Sequence, residues 1–409
     1  MKKTRITLLL ASVGISSVAS AQSSVTLYGV VDPALVFVNN AQVGRSAGGL
    51  RGAQQYAMID ASTTAYAGSR VGFKGNEDLG GGSSALFVLE NGFAANTGAL
   101  GQGGLLFGRQ AYVGLSNSGL GTVTLGRQYS SMIDYVSPLT SIVQWGGYIT
   151  AQPDDIDNLG LTNRQNNAVK YATPTWNGLS ANVLYSFGGV AGDVSRSQIV
   201  TFGAGYTGGP LRIAIGYLNA FDPNLSMWGS QPNAGGATTN NIGTLGSATT
   251  PEKNPVMAGY ASAHREQIFG GGASYTFARA TVGVVYTNTR FVGLGSNAGP
   301  DPLGYTGSAM FNVAEANVSY QVSAPLSLGA SYSYTEGSGP VGNRAHYNQV
   351  NAGVHYALSK RTDLYMVAAW QRAAGVDSFN QPAVASINGL TPSASKQQVV
   401  DTLGIAHRF

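Results

Sequence analysis

The chain has 409 residues, of which only 10% are charged, and it contains no cysteine. This length exceeds one ordinary small domain, and the missing thiols exclude disulfides, thiolate metal sites and cysteine nucleophiles. The 23 basic and 19 acidic residues nearly balance, which gives no ground for a nucleic-acid partner.

The first stretch reads MKKTRITLLLASVGISSVASAQ. Lys2, Lys3 and Arg5 precede a short apolar run from Ile6 to Val18, and Ala19-Ser20-Ala21 is an A-x-A cleavage signal. Residues 1–21 therefore read as a secretory signal peptide, cleaved after Ala21. Residues 22–409 then form one domain, with twenty basic against nineteen acidic residues. No later apolar run reaches the ~20 residues that a helix needs to cross a bilayer.

Beyond the leader, period 2 dominates and period 3.6 is nearly absent. In GLSANVLYSF, Leu179, Ala181, Val183, Tyr185 and Phe187 oppose Ser180, Asn182, Leu184 and Ser186. Leu211, Ile213, Ile215 and Tyr217 share a face, as do Ala314, Ala316, Val318, Tyr320 and Val322. Leu326, Leu328, Ala330, Tyr332 and Tyr334 alternate with Ser and Gly, and Val350, Ala352, Val354, Tyr356 and Leu358 with Gln349, Asn351, Gly353 and His355. About sixteen runs occur, near 24–38, 67–78, 84–96, 105–117, 121–129, 165–174, 178–188, 197–208, 210–220, 264–277, 279–291, 309–323, 325–336, 346–358, 361–372 and 397–409.

Alternation suits a sandwich or a barrel equally. Three features favour a barrel in a membrane. Many runs approach ten residues, matching the ~9–11 of a membrane-crossing strand. Tyr or Phe closes the oily faces, where an interfacial girdle would lie. Connections alternate between short turns and long polar loops near 39–65, 130–163, 221–263, 293–307 and 374–396, as on the two rims of an outer-membrane barrel. The fold class is all-β, a transmembrane antiparallel barrel of about sixteen strands. A barrel of that size encloses an aqueous channel.

Several stretches resemble the general porins of Gram-negative outer membranes, most of all those of beta-proteobacteria. They are SSVTLYGVVD (23–32), SRVGFKGNEDLG (69–80), FVLENGF (87–93), GRQAYVGL (108–115), GTVTLGRQY (121–129) and the final DTLGIAHRF. The resemblance implies an outer-membrane homotrimer, in contact with lipid and lipopolysaccharide, that passes ions and small hydrophilic solutes. It implies periplasmic chaperones and the barrel assembly machinery as partners, with Phe409 as the assembly signal. It also implies that the third external loop folds into the lumen. The gap from Ser130 to Asn163 holds that place, and VQWGG (143–147) resembles the family's Pro-Glu-Phe-Gly-Gly loop tip.

By position, Arg70, Arg109 and Arg164 resemble the arginine cluster of a porin eyelet, with Lys74 and Lys170 on the same faces and Gln144 and Trp145 at the loop tip. Tyr112 then faces outward beside Arg109, which a trimer contact would accommodate. Where the family carries a Glu at the tip and an Asp four residues earlier, this chain has Gln144 and Thr140. Glu90, Glu315, Asp32, Asp134, Asp154, Asp155 and Asp157 are the remaining candidate counter-charges. If the loop acids sit at the eyelet the pore is balanced; if not, it prefers anions. A substrate-specific channel is the alternative. No cofactor is expected: His264, His346, His355 and His407 lack metal-ligand spacing, LGGGSS (79–84) lacks the Lys of a phosphate loop, and no catalytic grouping emerges.

Overall fold

A computed structural model describes residues 24–60, 66–223, 254–296, 301 and 303–409. The leader lies outside these residues. Ser24–Val31 (β1), Pro33–Ser46 (β2), Gly49–Asp60 (β3) and Arg70–Gly80 (β4) open the fold. Ser83–Gly92 (β5), Gln110–Asn117 (β6), Gly121–Gln128 (β7), Gln165–Ala172 (β8), Leu179–Ser186 (β9), Ile199–Gly208 (β10) and Leu211–Phe221 (β11) follow. Arg265–Phe277 (β12), Ala280–Leu294 (β13), Gly307–Gln321 (β14), Leu326–Ser338 (β15), Arg344–Ala357 (β16), Thr362–Gly375 (β17) and Gln397–Arg408 (β18) complete it.

Each strand from β4 to β18 pairs antiparallel with the next, and β18 returns to β1 and β2. The sheet is closed, so no strand edge faces lipid with unpaired backbone groups. The eighteen segments make sixteen spans. β1 and β2 are one strand interrupted at Asp32: β18 runs along one side, while β4 flanks the first half and β3 the second. At the break, Asp32 is buried and accepts bonds from the Ala67 amide and the Tyr365 hydroxyl, while its own amide donates to Ser69 Oγ. It braces the wall at the break.

The 39–65 stretch, expected as a long polar loop, is largely strand. β2 and β3 form a hairpin that turns at Ala47 and Gly48. Its outer part shows no alternation because polar residues occupy both faces, with Asn39, Asn40, Gln42 and Arg45 on β2 and Arg51, Gln54 and Gln55 on β3; apolar residues predominate only nearer the base of the hairpin. Leu35, Tyr56 and Met58 point outward, while Ala34, Val36 and Val38 pack inside against Ile149, Ile387 and Val400.

Hydrophobic residues are distributed inside-out. Val183, Ile213, Val284, Leu328, Val350 and Leu403 are all exposed on one face, suited to lipid. Tyr171, Phe277, Tyr320, Tyr356 and Phe409 lie exposed beside the short turns, as interfacial aromatics do. The buried apolar clusters instead lie where the chain between strands meets the opposite face of the sheet.

Candidate functional site

The segment between β7 and β8 is seated on the wall by shape. Inward glycines make slots for its large side chains. A Cβ at Gly203 or Gly205 would crowd the Tyr135 ring, one at Gly216 or Gly270 would crowd Met132, and one at Gly329 or Gly353 would crowd Trp145. Met132 and Tyr135 are presented by a short helix, Ser131–Tyr135. Trp145 is 3% exposed. It is an anchor on β15 and β16, which corrects its expected place in the channel opening.

Polar groups of the wall complete the seat. Glu315 accepts from the Ser141 amide at 2.6 Å and Gln152 Nε2 at 3.0 Å. Asn317 donates to the Leu139 carbonyl, and Gln349 to that of Ile149. His355 Nε2 lies 2.6 Å from the Trp145 carbonyl; the carbonyl can only accept, so Nε2 carries the proton. Thr287 donates to Asp157 at 2.8 Å, and the Gly160 amide to Asp155 at 2.7 Å. Asp155 and Asp157 are thereby buried between segment and wall. Burial, reinforced by Asp157, pushes the Asp155 carboxyl up to about 7, and burial pushes that of Asp157 up to about 6.

Across from the segment lies a row of guanidinium groups. Val30 pairs with Arg70 on one side and Arg408 on the other, so two arginines share one level on the inner face. Arg109 Nε bonds Glu90 at 2.7 Å, and Arg70 Nε stands 3.7 Å from the same carboxylate. The Tyr28 hydroxyl also donates to Glu90. The Tyr129 hydroxyl accepts from Nη2 of Arg109 at 3.0 Å and of Arg164 at 2.9 Å. A shared phenol thus holds two like charges side by side.

Arg109 reaches this group because it sits on a bend just before β6. Strand parity does not apply to it. Tyr112 pairs with Val88, which shares parity with Glu90, so Tyr112 faces inward. The expected outward polar group at Tyr112 is therefore absent, and with it the support it lent to a trimer contact.

Not every expected residue joins the cluster. Lys170 is held by Asp134 at 2.6 Å. Lys74 is exposed, its ammonium 5.5 Å from the Tyr28 ring. Gln144 bonds back to the Leu139 carbonyl within its own segment. Phe409 exchanges backbone bonds with Gly29. Sequence reading missed Arg408, Tyr129, Tyr66 and Tyr148. Arg408 was legible by parity, since it alternates with His407 and Phe409. Tyr129 had no signal beyond its place after a strand.

An opening remains between row and segment. Tyr66, Arg70, Arg109 and Arg408 line one side, and Ile142, Val143, Tyr148 and Leu161 the other. No carboxylate lines it directly. Behind the lining, Glu90 and Asp363 are paired to arginines, and Asp32 accepts from the amide of the lining residue Ala67. Among the described residues, no group of His, Asp and Glu has metal-binding geometry.

Residues 7–375 match the family model described as Gram-negative porin. An outer membrane porin protein of Bordetella pertussis is 30% identical over 91% of this chain and 94% of its own length. Outer membrane porin protein 32 of Delftia acidovorans is 28% identical over the whole of both chains. Among solved structures, an anion-selective porin from Comamonas acidovorans superposes with a TM-score of 0.66, covering 95% of this chain and all of its own, at 23% identity.

Proposed function

The chain belongs to the Gram-negative porin family, and from that premise we propose that its arginine row sets an anion-preferring constriction. The protein is an outer-membrane porin whose channel carries ions and small hydrophilic solutes by passive diffusion. What supports the anion preference is the one-sided charge of the opening: three arginines line it, and no carboxylate does. Asp155 and Asp157 are buried behind the segment, and Asp134 is bound to Lys170. Arginine suits this role because it stays charged at any working pH. Wall charges act over ~8 Å at physiological salt, and low-dielectric walls focus their field. A bias of about 1 kcal/mol would give roughly fivefold discrimination between ion signs.

In this reading the Ser130–Asn163 segment narrows the lumen, and the protein works as a homotrimer without catalytic activity. Residues 1–21 direct export, and Phe409 marks the chain for the assembly machinery. The Comamonas protein that shares this fold is an anion-selective porin, which agrees with the charge reading. The test is the zero-current potential of the purified protein in a planar bilayer under a KCl gradient. A chloride-dominated sign is expected, reduced by Arg70→Gln. A potassium-dominated sign would refute the selectivity while leaving the porin intact.

A further inference from the structure

The two sides of the opening differ in more than charge. Val143 is 42% exposed, although its neighbours Ile142 and Trp145 are almost wholly buried. It lines the opening together with Leu161, so the segment presents an aliphatic surface where an opposing acid would balance the arginines. Across from it, Arg109 is 5% exposed and commits Nε to Glu90 and Nη2 to Tyr129. Its Nη1 is buried without an acceptor among the described residues. Such a buried, unmatched donor is costly, and Arg109 holds it within the wall of the opening. Arg408 lies over the Tyr66 ring at 5.8 Å, so its flat guanidinium is backed by an aromatic and can stack on another.

We infer that the constriction selects anions that carry an apolar body: carboxylates or sulfonates with an aromatic or aliphatic portion, in preference to compact anions of equal charge. The acid head meets Arg70 and Arg109, and the body lies against Val143 and Leu161. The inference rests on the anion-preferring reading above. It adds an apolar contact, whose contribution grows with the area removed from water, to a charge effect that every monoanion shares. Contact at the narrowest point also slows passage, so such an anion is expected to interrupt the current as well as carry it.

The test uses the purified full-length protein in planar bilayers, with benzenesulfonate and methanesulfonate as probes. Both stay ionised, so neither crosses the lipid as a neutral acid. Benzenesulfonate should reduce the chloride current at a concentration about fivefold lower than methanesulfonate, the scale expected from burying part of one ring. Val143→Ser should narrow that gap, and Val143→Leu should keep it. Equal potency of the two probes on a chloride-selective wild-type channel overturns the inference and leaves the anion reading standing. A channel without chloride preference overturns both. Failure of Val143→Ser to insert leaves the wild-type comparison decisive.

Discussion

At the scale of single residues, Glu90 is the acid on which the arginine row depends. It is buried, accepts from Arg109 and Tyr28, and stands near Arg70. Removing one member of a buried ion pair leaves the other uncompensated, at about 3–5 kcal/mol. Glu90→Gln keeps the shape and deletes the charge, so two effects of opposite value are expected. Urea unfolding in lipid vesicles should show a less stable barrel. The zero-current potential should move further toward chloride, because the opening gains net positive charge. A shift toward potassium would mean that Glu90 does not govern the field. Most of this cluster was legible in the sequence, because Arg70, Glu90, Arg109 and Arg164 stand in recognisable strand motifs. Tyr129 was not, because a shared hydrogen-bond acceptor is a property of the closed sheet; Arg408 could be given an inner face by parity, but its level beside Arg70 could not, because that register exists only across the barrel seam.

At the scale of elements, the segment after β7 is held by complementary shape. Gly329 is the sharpest case: any side chain there would overlap the Trp145 ring. Gly329→Val should unseat the tip without opening the barrel, so single-channel conductance should rise and ion selectivity fall. Unchanged conductance would sink this view of the seat. The charge-free composition of SIVQWGGYIT signalled a packed segment, but strand glycines carry no pattern that names their partner, so the slots were invisible. A second consequence follows from Asp155 and Asp157. Their folded values, about 7 and about 6, lie above the ordinary carboxylate range. The seat thus favours the protonated acids. Its stability is full below about pH 4, where unfolded Asp is protonated, and is lost as pH rises through 6 to 7. Hydrogen exchange of residues 140–160 should therefore be slowest in acid and accelerate toward pH 8, with Asp155→Asn flattening the profile. Exchange that slows as pH rises, after correction for intrinsic rates, would contradict the assignment.

At the scale of the whole molecule, one periodicity determines both solubility in lipid and the wet interior. Val183 and Asn182 are adjacent in β9 yet face opposite media, one 44% exposed and the other buried against Asp134. Val183→Arg puts a charge on the lipid face, at about 2–4 kcal/mol near the midplane. Asn182→Arg keeps Asp134 as its partner and should fold nearly as well. Equal destabilisation of both variants in urea would invalidate the parity of the barrel. Closure makes a similar demand at the seam. Phe409 exchanges both backbone bonds with Gly29, and its ring fills the space that a Gly29 Cβ would need. The strand count and alternation were legible because lipid imposes them on every span. The seam was not, since it joins residues from opposite ends of the chain in a register that only closure defines. Deleting Phe409 removes the last ladder step between the first and last strands. The expected result is a reduced amount of protein in the outer membrane, measured by surface labelling, with near-normal conductance from the molecules that do assemble. Normal surface levels would show that the β1–β18 pairing closes the barrel without its terminal aromatic.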